Sequence, residues 1–147
     1  VSMIRTEMER IRPGILLGIY HCPWQDHEFD QARRRILGLD YDLLRDKVDI
    51  FSPMVYHARM GRDAEWVGKN IAWFSERIGV ESGKFPKIWT IVQAHDDPYE
   101  VSPEAFRQVL KGGLSAGASG VMMFTSWSVA EDADKTRVME EFYTGIE

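Results

Sequence analysis

Four short apolar runs recur along this chain, and each ends in a cluster of polar or aromatic residues. The runs cover residues 15–19, 50–55, 88–92 and 121–124. The stretches between them carry apolar residues at the three- and four-residue spacing of amphipathic helices. Parallel strands buried on both faces give continuous apolar runs of this kind, so the alternation predicts an α/β fold built from four βα units.

The same spacing predicts nine elements in the order αβαβαβαβα. We expect strands near residues 15–21, 49–56, 87–93 and 120–125. We expect helices near residues 2–12, 26–47, 64–78, 103–115 and 132–143. A break at residues 38–40 divides the second helix, and Asp40 is expected to cap its second part. Ser102, Pro103 and Glu104 have the order typical of a helix start.

Four βα units form either an open doubly wound sheet or half of an eight-stranded (β/α) barrel, which normally needs about 250 residues. All 147 residues are expected to form one domain. Two observations favour the half barrel over the open sheet. Bulky aromatic side chains end the strands at Tyr20, Tyr56 and Trp127, which suits a ring of loops around an open mouth. No glycine-rich phosphate loop follows the first strand. In either architecture ligands gather at the carboxyl ends of the strands.

Composition excludes several classes of partner. The net charge of −5 and the pI near 5.4 argue against nucleic-acid binding, which requires a basic face. No apolar stretch approaches the roughly 20 residues that span a bilayer, so no membrane partner is predicted. Cys22 is the single cysteine, which excludes an intramolecular disulfide framework. No cofactor is predicted.

Three of the runs carry a family resemblance. Residues 48–57, with Met54 and Tyr56, resemble the sixth strand of glycoside-hydrolase-like (β/α)8 barrels, in which chitinase-like enzymes carry a Met-x-Tyr element. Residues 88–93 resemble the seventh strand of uncharacterised members, which tends to end in Gln. Residues 116–124 resemble the approach to the eighth strand, with an aromatic residue near its end. The resemblance implies that residues 15–147 are strands five to eight with their helices.

This resemblance implies that the chain is the C-terminal half of a TIM barrel. Residues 1–12 would then be the tail of helix four, and the main catalytic acid would lie upstream of Val1. Two positions depart from family patterns. His57 stands where chitinase-like members usually have Asp, and Gln93 stands where another clan of retaining glycosidases has a nucleophilic Glu. Both departures disfavour the corresponding mechanisms.

Glycoside hydrolysis usually requires two carboxyl groups beside the scissile bond. Asp96 is the carboxylate nearest to a predicted strand end, and we predict that it is catalytic, as an acid, a base or a substrate ligand. The alternative is that Asp96, Asp97 and Pro98 only form a turn. Asp26 and Glu28 are expected to start a helix instead.

The remaining site residues are predicted to bind the substrate. Aromatic side chains stack on the apolar C–H face of a sugar, although the same residues also suit core packing. Histidines follow three of the strands, which raises the alternative of a metal site. Metal-dependent (β/α) barrel hydrolases usually add a metal-binding Asp on the last strand, and residues 124–127 contain none, so we expect the histidines to form hydrogen bonds to sugar hydroxyls. The predicted substrate-binding residues are Tyr20, His21, Trp24, Tyr56, His57, Gln93, His95 and Trp127.

The sequence thus predicts a fragment of a glycoside-hydrolase-like barrel that binds and orients a carbohydrate and lacks turnover by itself. The alternatives are a non-catalytic carbohydrate-binding or scaffold domain and a metal-dependent barrel hydrolase. A half barrel exposes two strand edges, which are liabilities for pairing with other chains. We therefore expect an N-terminal half-barrel segment or a homodimer to cover those edges.

Overall fold

The computed structural model of the protein describes residues 1–145, which form a four-stranded, all-parallel sheet flanked by helices. The strands pair in the order in which they occur along the chain. They are β1 (Gly18–His21), β2 (Ile50–Val55), β3 (Lys87–Gln93) and β4 (Gly120–Phe124). All three neighbouring pairs are parallel, so the predicted series of four βα units is confirmed.

Helices alternate with these strands. They are α1 (Ser2–Ile11), α2 (Ala32–Arg35), α3 (Tyr41–Leu44), α4 (Glu65–Ile78), α5 (Pro103–Gly113), α6 (Ser126–Ala130) and α7 (Ala133–Thr144). Two 3₁₀ turns complete the described chain, at Glu28–Gln31 and Ala58–Met60. The four long helices lie close to their predicted positions. The Ser102 side chain caps α5 by accepting a hydrogen bond from the Ala105 amide, as its sequence context predicts.

The prediction of a helix over most of residues 26–47 is wrong. The segment instead contains the first 3₁₀ turn, α2 and α3, because Phe29, Asp30 and Gln31 adopt left-handed backbone angles that no α-helix continues through. Asp40 does cap α3, where its carboxylate accepts a hydrogen bond from the Asp42 amide. The short helix α6 was not predicted.

One face of the sheet carries the helices and the core. Phe51, Val55 and Val92 point from the strands into a cluster that includes Phe74 of α4 and Phe106 of α5. The two helices also meet each other. A Cβ atom on Gly112 of α5 would lie 3.0 Å from the Gly68 nitrogen of α4, so a larger residue there would force the two helices to move apart slightly.

The other face of the sheet is largely exposed. Side chains alternate between the faces of a strand, so Tyr20, Trp89 and Phe124 point away from the helical layer. They remain 69%, 38% and 47% exposed. None of the residues of α1 is buried, and its Met3, Ile4 and Ile11 side chains are exposed as well. Within the described chain, no helix is long and apolar enough to cross a bilayer.

Candidate functional site

An apolar groove lies where the carboxyl ends of the strands meet the exposed face of the sheet. It has a volume of about 350 Å³. The residues that line it are Tyr20, Met54, Tyr56, Ile91, Met122, Met123 and Phe124. A second hollow of about 300 Å³ shares Tyr20 and Met122 with it and reaches Trp89 further down the sheet. All four strands therefore contribute side chains to one continuous concave surface.

Three rings form one wall of this groove. Tyr56, directly after β2, stacks on Phe124 at the end of β4, with ring centroids 5.5 Å apart and planes inclined by 23°. The His95 imidazole, after β3, meets both rings edge-on at 5.7 and 5.6 Å. Its Nε2 atom is buried and has no hydrogen-bond partner among residues 1–145. Burial raises the pKa of the Tyr56 hydroxyl, which is therefore neutral at physiological pH.

Gln93 holds the loops behind these rings and is itself completely buried. Its Oε1 accepts a hydrogen bond from the Arg59 amide at 3.0 Å. Its Nε2 donates to the carbonyl oxygens of His95 at 3.0 Å and Asp97 at 3.1 Å. A carboxylate at this position could not donate those two bonds. Gln93 therefore joins the loop after β2 to the loop after β3, and its polar atoms are already engaged.

Asp96 is anchored to the last helix. Its Oδ1 accepts hydrogen bonds from Lys135 Nζ and from the Val101 amide, both at 2.8 Å. The Lys135 side chain is buried, and its Nζ also donates to the Ala94 carbonyl at 3.1 Å. Burial opposes ionisation of Asp96, but these hydrogen bonds and the Lys135 charge outweigh it and lower the carboxyl pKa. An ionised carboxylate suits a base or a hydroxyl acceptor rather than a general acid.

His21 lies away from the groove, in the core beneath the sheet, where it is 2% exposed. Because Tyr20 faces the groove, the next residue along β1 must face the helices. The imidazole contacts the rings of Tyr41, Phe51 and Phe74. Its Nδ1 lies 2.8 Å from the Cys22 carbonyl oxygen and 3.0 Å from the Tyr41 hydroxyl. Burial lowers the pKa of His21 to about 4.

Three further predicted residues do not line the groove. His57 is buried, and burial lowers the pKa of its imidazole. Trp24 is half-buried against Phe29, with ring centroids 4.8 Å apart. Trp127 is exposed on α6.

Tyr20 and Tyr56 are the predicted binding residues that line the groove, and His95 joins them through its ring contacts. Sequence analysis did not select Met54, Ile91, Met122, Met123 or Phe124, which line it too. For four of them the signal was the strand alternation, because each lies an even number of residues from another side chain on the exposed face. Met123 does not follow that alternation, and it also packs against the core.

The histidines also fail to converge on a metal site. His21 lies in the core, while His95 lies above the other face of the sheet. Within residues 1–145, no group of three or more His, Cys, Asp or Glu side chains is arranged to hold a metal ion. The metal-dependent alternative therefore has no support from the arrangement of these side chains.

Comparisons with known proteins give no relative from which a function could be transferred. The sequence matches no protein-family model, and it has no significant match among curated proteins or solved structures. The candidate function therefore rests on the residues and geometry of this chain.

Proposed function

We propose that the chain is one half of a glycoside-hydrolase-like (β/α)8 barrel and that its groove binds a sugar ring. The observation that carries the proposal is the stacked pair of Tyr56 and Phe124 beside an apolar hollow at the carboxyl ends of parallel strands. Ligands of α/β folds bind at these strand ends.

Helices cover only one face of the sheet, and this supports the half barrel. In a closed (β/α)8 barrel the helices form an outer ring and the inward-pointing side chains fill the interior. Here the buried core lies between the sheet and its helices, while Tyr20, Trp89 and Phe124 are exposed on the other face. An open doubly wound sheet would carry helices on both faces instead.

The chemistry of the groove wall supports a sugar as the ligand. Its rings offer an apolar surface for the C–H face of a pyranose, while the adjacent Tyr56 hydroxyl is a neutral donor and acceptor. Binding sites of this type combine an apolar wall with a few polar groups that fix orientation.

In the hydrolase form of the proposal, Asp96 acts as a base or hydroxyl acceptor, and the half that completes the barrel supplies a general acid. The lowered pKa of Asp96 favours this division of roles. A non-catalytic carbohydrate-binding domain is the second candidate. Two observations favour it. No carboxylate is among the side chains that line the groove within the described residues. The Gln93 amide already forms hydrogen bonds to backbone atoms through both its oxygen and its nitrogen.

Titration of the ¹⁵N-labelled chain with chitotetraose and cellotetraose, followed by amide chemical shifts, tests sugar binding. We expect shifts centred on residues 54–56, 91–95 and 122–124 for at least one sugar. Tyr56→Ala should weaken that binding about tenfold, which corresponds to roughly 1.4 kcal/mol. Tyr143→Ala is the matched control, since Tyr143 is an exposed aromatic on α7 and does not line the groove. No shifts with either sugar, or equal loss in both variants, would count against the proposal.

Turnover separates the two candidates. The chain is combined with the half that completes the barrel and assayed on aryl glycosides. Hydrolysis that is lost in the Asp96→Asn variant would favour the hydrolase. Sugar binding without turnover in the completed barrel would favour the carbohydrate-binding domain.

A further inference from the structure

An arginine lies beside the aromatic wall of the groove, in the 3₁₀ turn that follows β2. Arg59 comes three residues after Tyr56, and its side chain is mostly exposed. Burial raises the pKa of the Tyr56 hydroxyl, and the Arg59 charge acts in the opposite direction, so the guanidinium lies near this hydroxyl. Within residues 1–145, no charged side chain lines the groove itself. A cation therefore stands at the rim of an uncharged groove.

We propose that the sugar bound in the groove carries a carboxylate, as a uronic-acid residue does, and that Arg59 binds this carboxylate. The inference rests on the proposed function and names the class of sugar. The apolar wall would hold the C–H face of the ring, and the guanidinium would hold its charged substituent.

The main chain on both sides of this position is held by one buried side chain. Gln93 accepts a hydrogen bond from the Arg59 amide at 3.0 Å and donates one to the Asp97 carbonyl oxygen at 3.1 Å. The turn after β2 and the loop after β3 are therefore fixed relative to each other. A binding group on a fixed main chain loses less conformational freedom when its ligand binds.

Asp97 shows how a ligand carboxylate would meet Arg59. Its Oδ2 accepts a hydrogen bond from Arg59 Nη1 at 3.3 Å. The Nε and Nη2 atoms of Arg59 have no hydrogen-bond partner in the part of the chain that the structure describes. A guanidinium can bind a carboxylate through two parallel N–H donors, so the single bond to Asp97 leaves donors available for a ligand.

The bond between Arg59 and Asp97 is also easily exchanged. The Asp97 side chain is 73% exposed, and exposed ion pairs contribute little to stability. Arg62, in the same loop, differs in this respect, because its partner Glu28 is only 15% exposed. Of these two arginines, Arg59 is therefore the one that can turn to a ligand.

The nearest other carboxylate of the loop after β3 is already paired. Asp96 accepts a hydrogen bond from Lys135 Nζ at 2.8 Å, which offsets its charge on the side of α7. Asp97 is then the main group that opposes a second carboxylate on Arg59. Removal of its charge should therefore strengthen the binding of an acidic sugar.

Amide chemical shifts of the ¹⁵N-labelled chain test this inference in titrations with tetragalacturonate, tetramannuronate and a hyaluronan tetrasaccharide. Each is compared with its methyl ester, which keeps the rings and linkages and removes the charge. We expect shifts at residues 54–60 and 93–97 for at least one uronate, which should bind about tenfold more tightly than its ester. A carrageenan tetrasaccharide is the sulfated comparison.

Three variants locate the effect. Arg59→Gln should weaken the binding of the uronate about tenfold and leave the binding of its ester unchanged. Asp97→Asn should strengthen the binding of the uronate. Arg62→Gln is the matched control, because Arg62 lies in the same loop and also pairs with a carboxylate, at 3.1 Å. It should leave both affinities unchanged, and circular dichroism checks that each variant is folded.

The outcomes separate this inference from the proposed function. Equal affinity for a uronate and its ester, or uronate binding that Arg59→Gln leaves intact, would overturn the inference and keep the sugar groove. Shifts with chitotetraose or cellotetraose but with no uronate would do the same, as would tighter binding of the sulfated sugar than of every uronate. No shift with any sugar, neutral or acidic, would reject the proposed function together with the inference.

Discussion

The two faces of the β-sheet are made by alternate residues of the same strands, yet they differ in almost every physical respect. Tyr20 points to the uncovered face and is mostly exposed, whereas His21, the next residue, lies in the core and is almost fully buried. The covered face joins Phe51 to Phe74 and Phe106 in one cluster. The uncovered face gathers Tyr20, Met54 and Phe124 around a groove. One face therefore provides stability to the chain, and the other carries the groove to which we assign the proposed function.

The largest effect is expected from the covered face. Phe74→Ala should lower the free energy of unfolding by about 3–5 kcal/mol, because it removes a fully buried ring from a closely packed cluster. Trp89→Ala, on the uncovered face, should lower the free energy of unfolding by only about 1 kcal/mol. Urea denaturation followed by circular dichroism measures both. Equal decreases in the free energy of unfolding for the two variants would show that the covered face does not contribute more to stability than the uncovered face.

The second prediction concerns the pH dependence that His21 gives to the covered face. Its folded pKa of about 4 lies below the ordinary value of 6.5, so the unfolded chain binds the proton more readily. The contribution of His21 to the free energy of unfolding is therefore complete above pH 6.5. It decreases as the pH drops towards 4, by about 3 kcal/mol in all. Urea denaturation at a series of pH values measures the slope.

His21→Phe should flatten that slope, because phenylalanine fills the same apolar site without binding a proton. The matched control is His27→Gln, which changes an exposed histidine and should leave the slope as it is. Identical slopes in the wild type and His21→Phe would contradict the assignment.

A smaller effect than those of Phe74→Ala and His21 is expected at Lys135, where the two regions join. Lys135→Met should cost about 1–2 kcal/mol, since it leaves the buried Ala94 carbonyl without a donor. The carboxylate of Asp96 loses its partner too, but its side chain is 53% exposed and water can replace that bond. The pKa of Asp96 should rise, as ¹³C NMR titration of its carboxyl group would record. Lys69→Met, at an exposed lysine, is the control for a lost surface charge.

Much of the fold could be predicted because its signals are local. The apolar runs predicted four strands, and Ser102 and Asp40 marked helix starts that the structure contains. The segment 26–47 could not be predicted in the same way. Its three left-handed residues and its ion pairs, such as Arg77 with Asp42, depend on groups that are distant in sequence.

The site was predicted less completely than the fold. Proximity to a strand end selected Tyr20 and Tyr56, which line the groove, but it also selected His21, which faces the opposite side. Strand ends are visible in a sequence, whereas the face to which a residue points changes with each single step along the strand. If the predicted alternation of a strand is shifted by one residue, its core residues are assigned to the groove and its groove residues to the core.

The sequence by itself determined that this chain forms four parallel βα units, because apolar runs and helical spacing are properties of neighbouring residues. Only the tertiary structure decided that the helices cover one face, that Gln93 and Lys135 bind the loops around Asp96 and His95, and that an aromatic groove remains open. The contacts that decide these features include Arg59 with Gln93, Asp96 with Lys135 and Tyr56 with Phe124, which are far apart in the sequence and which no local pattern encodes.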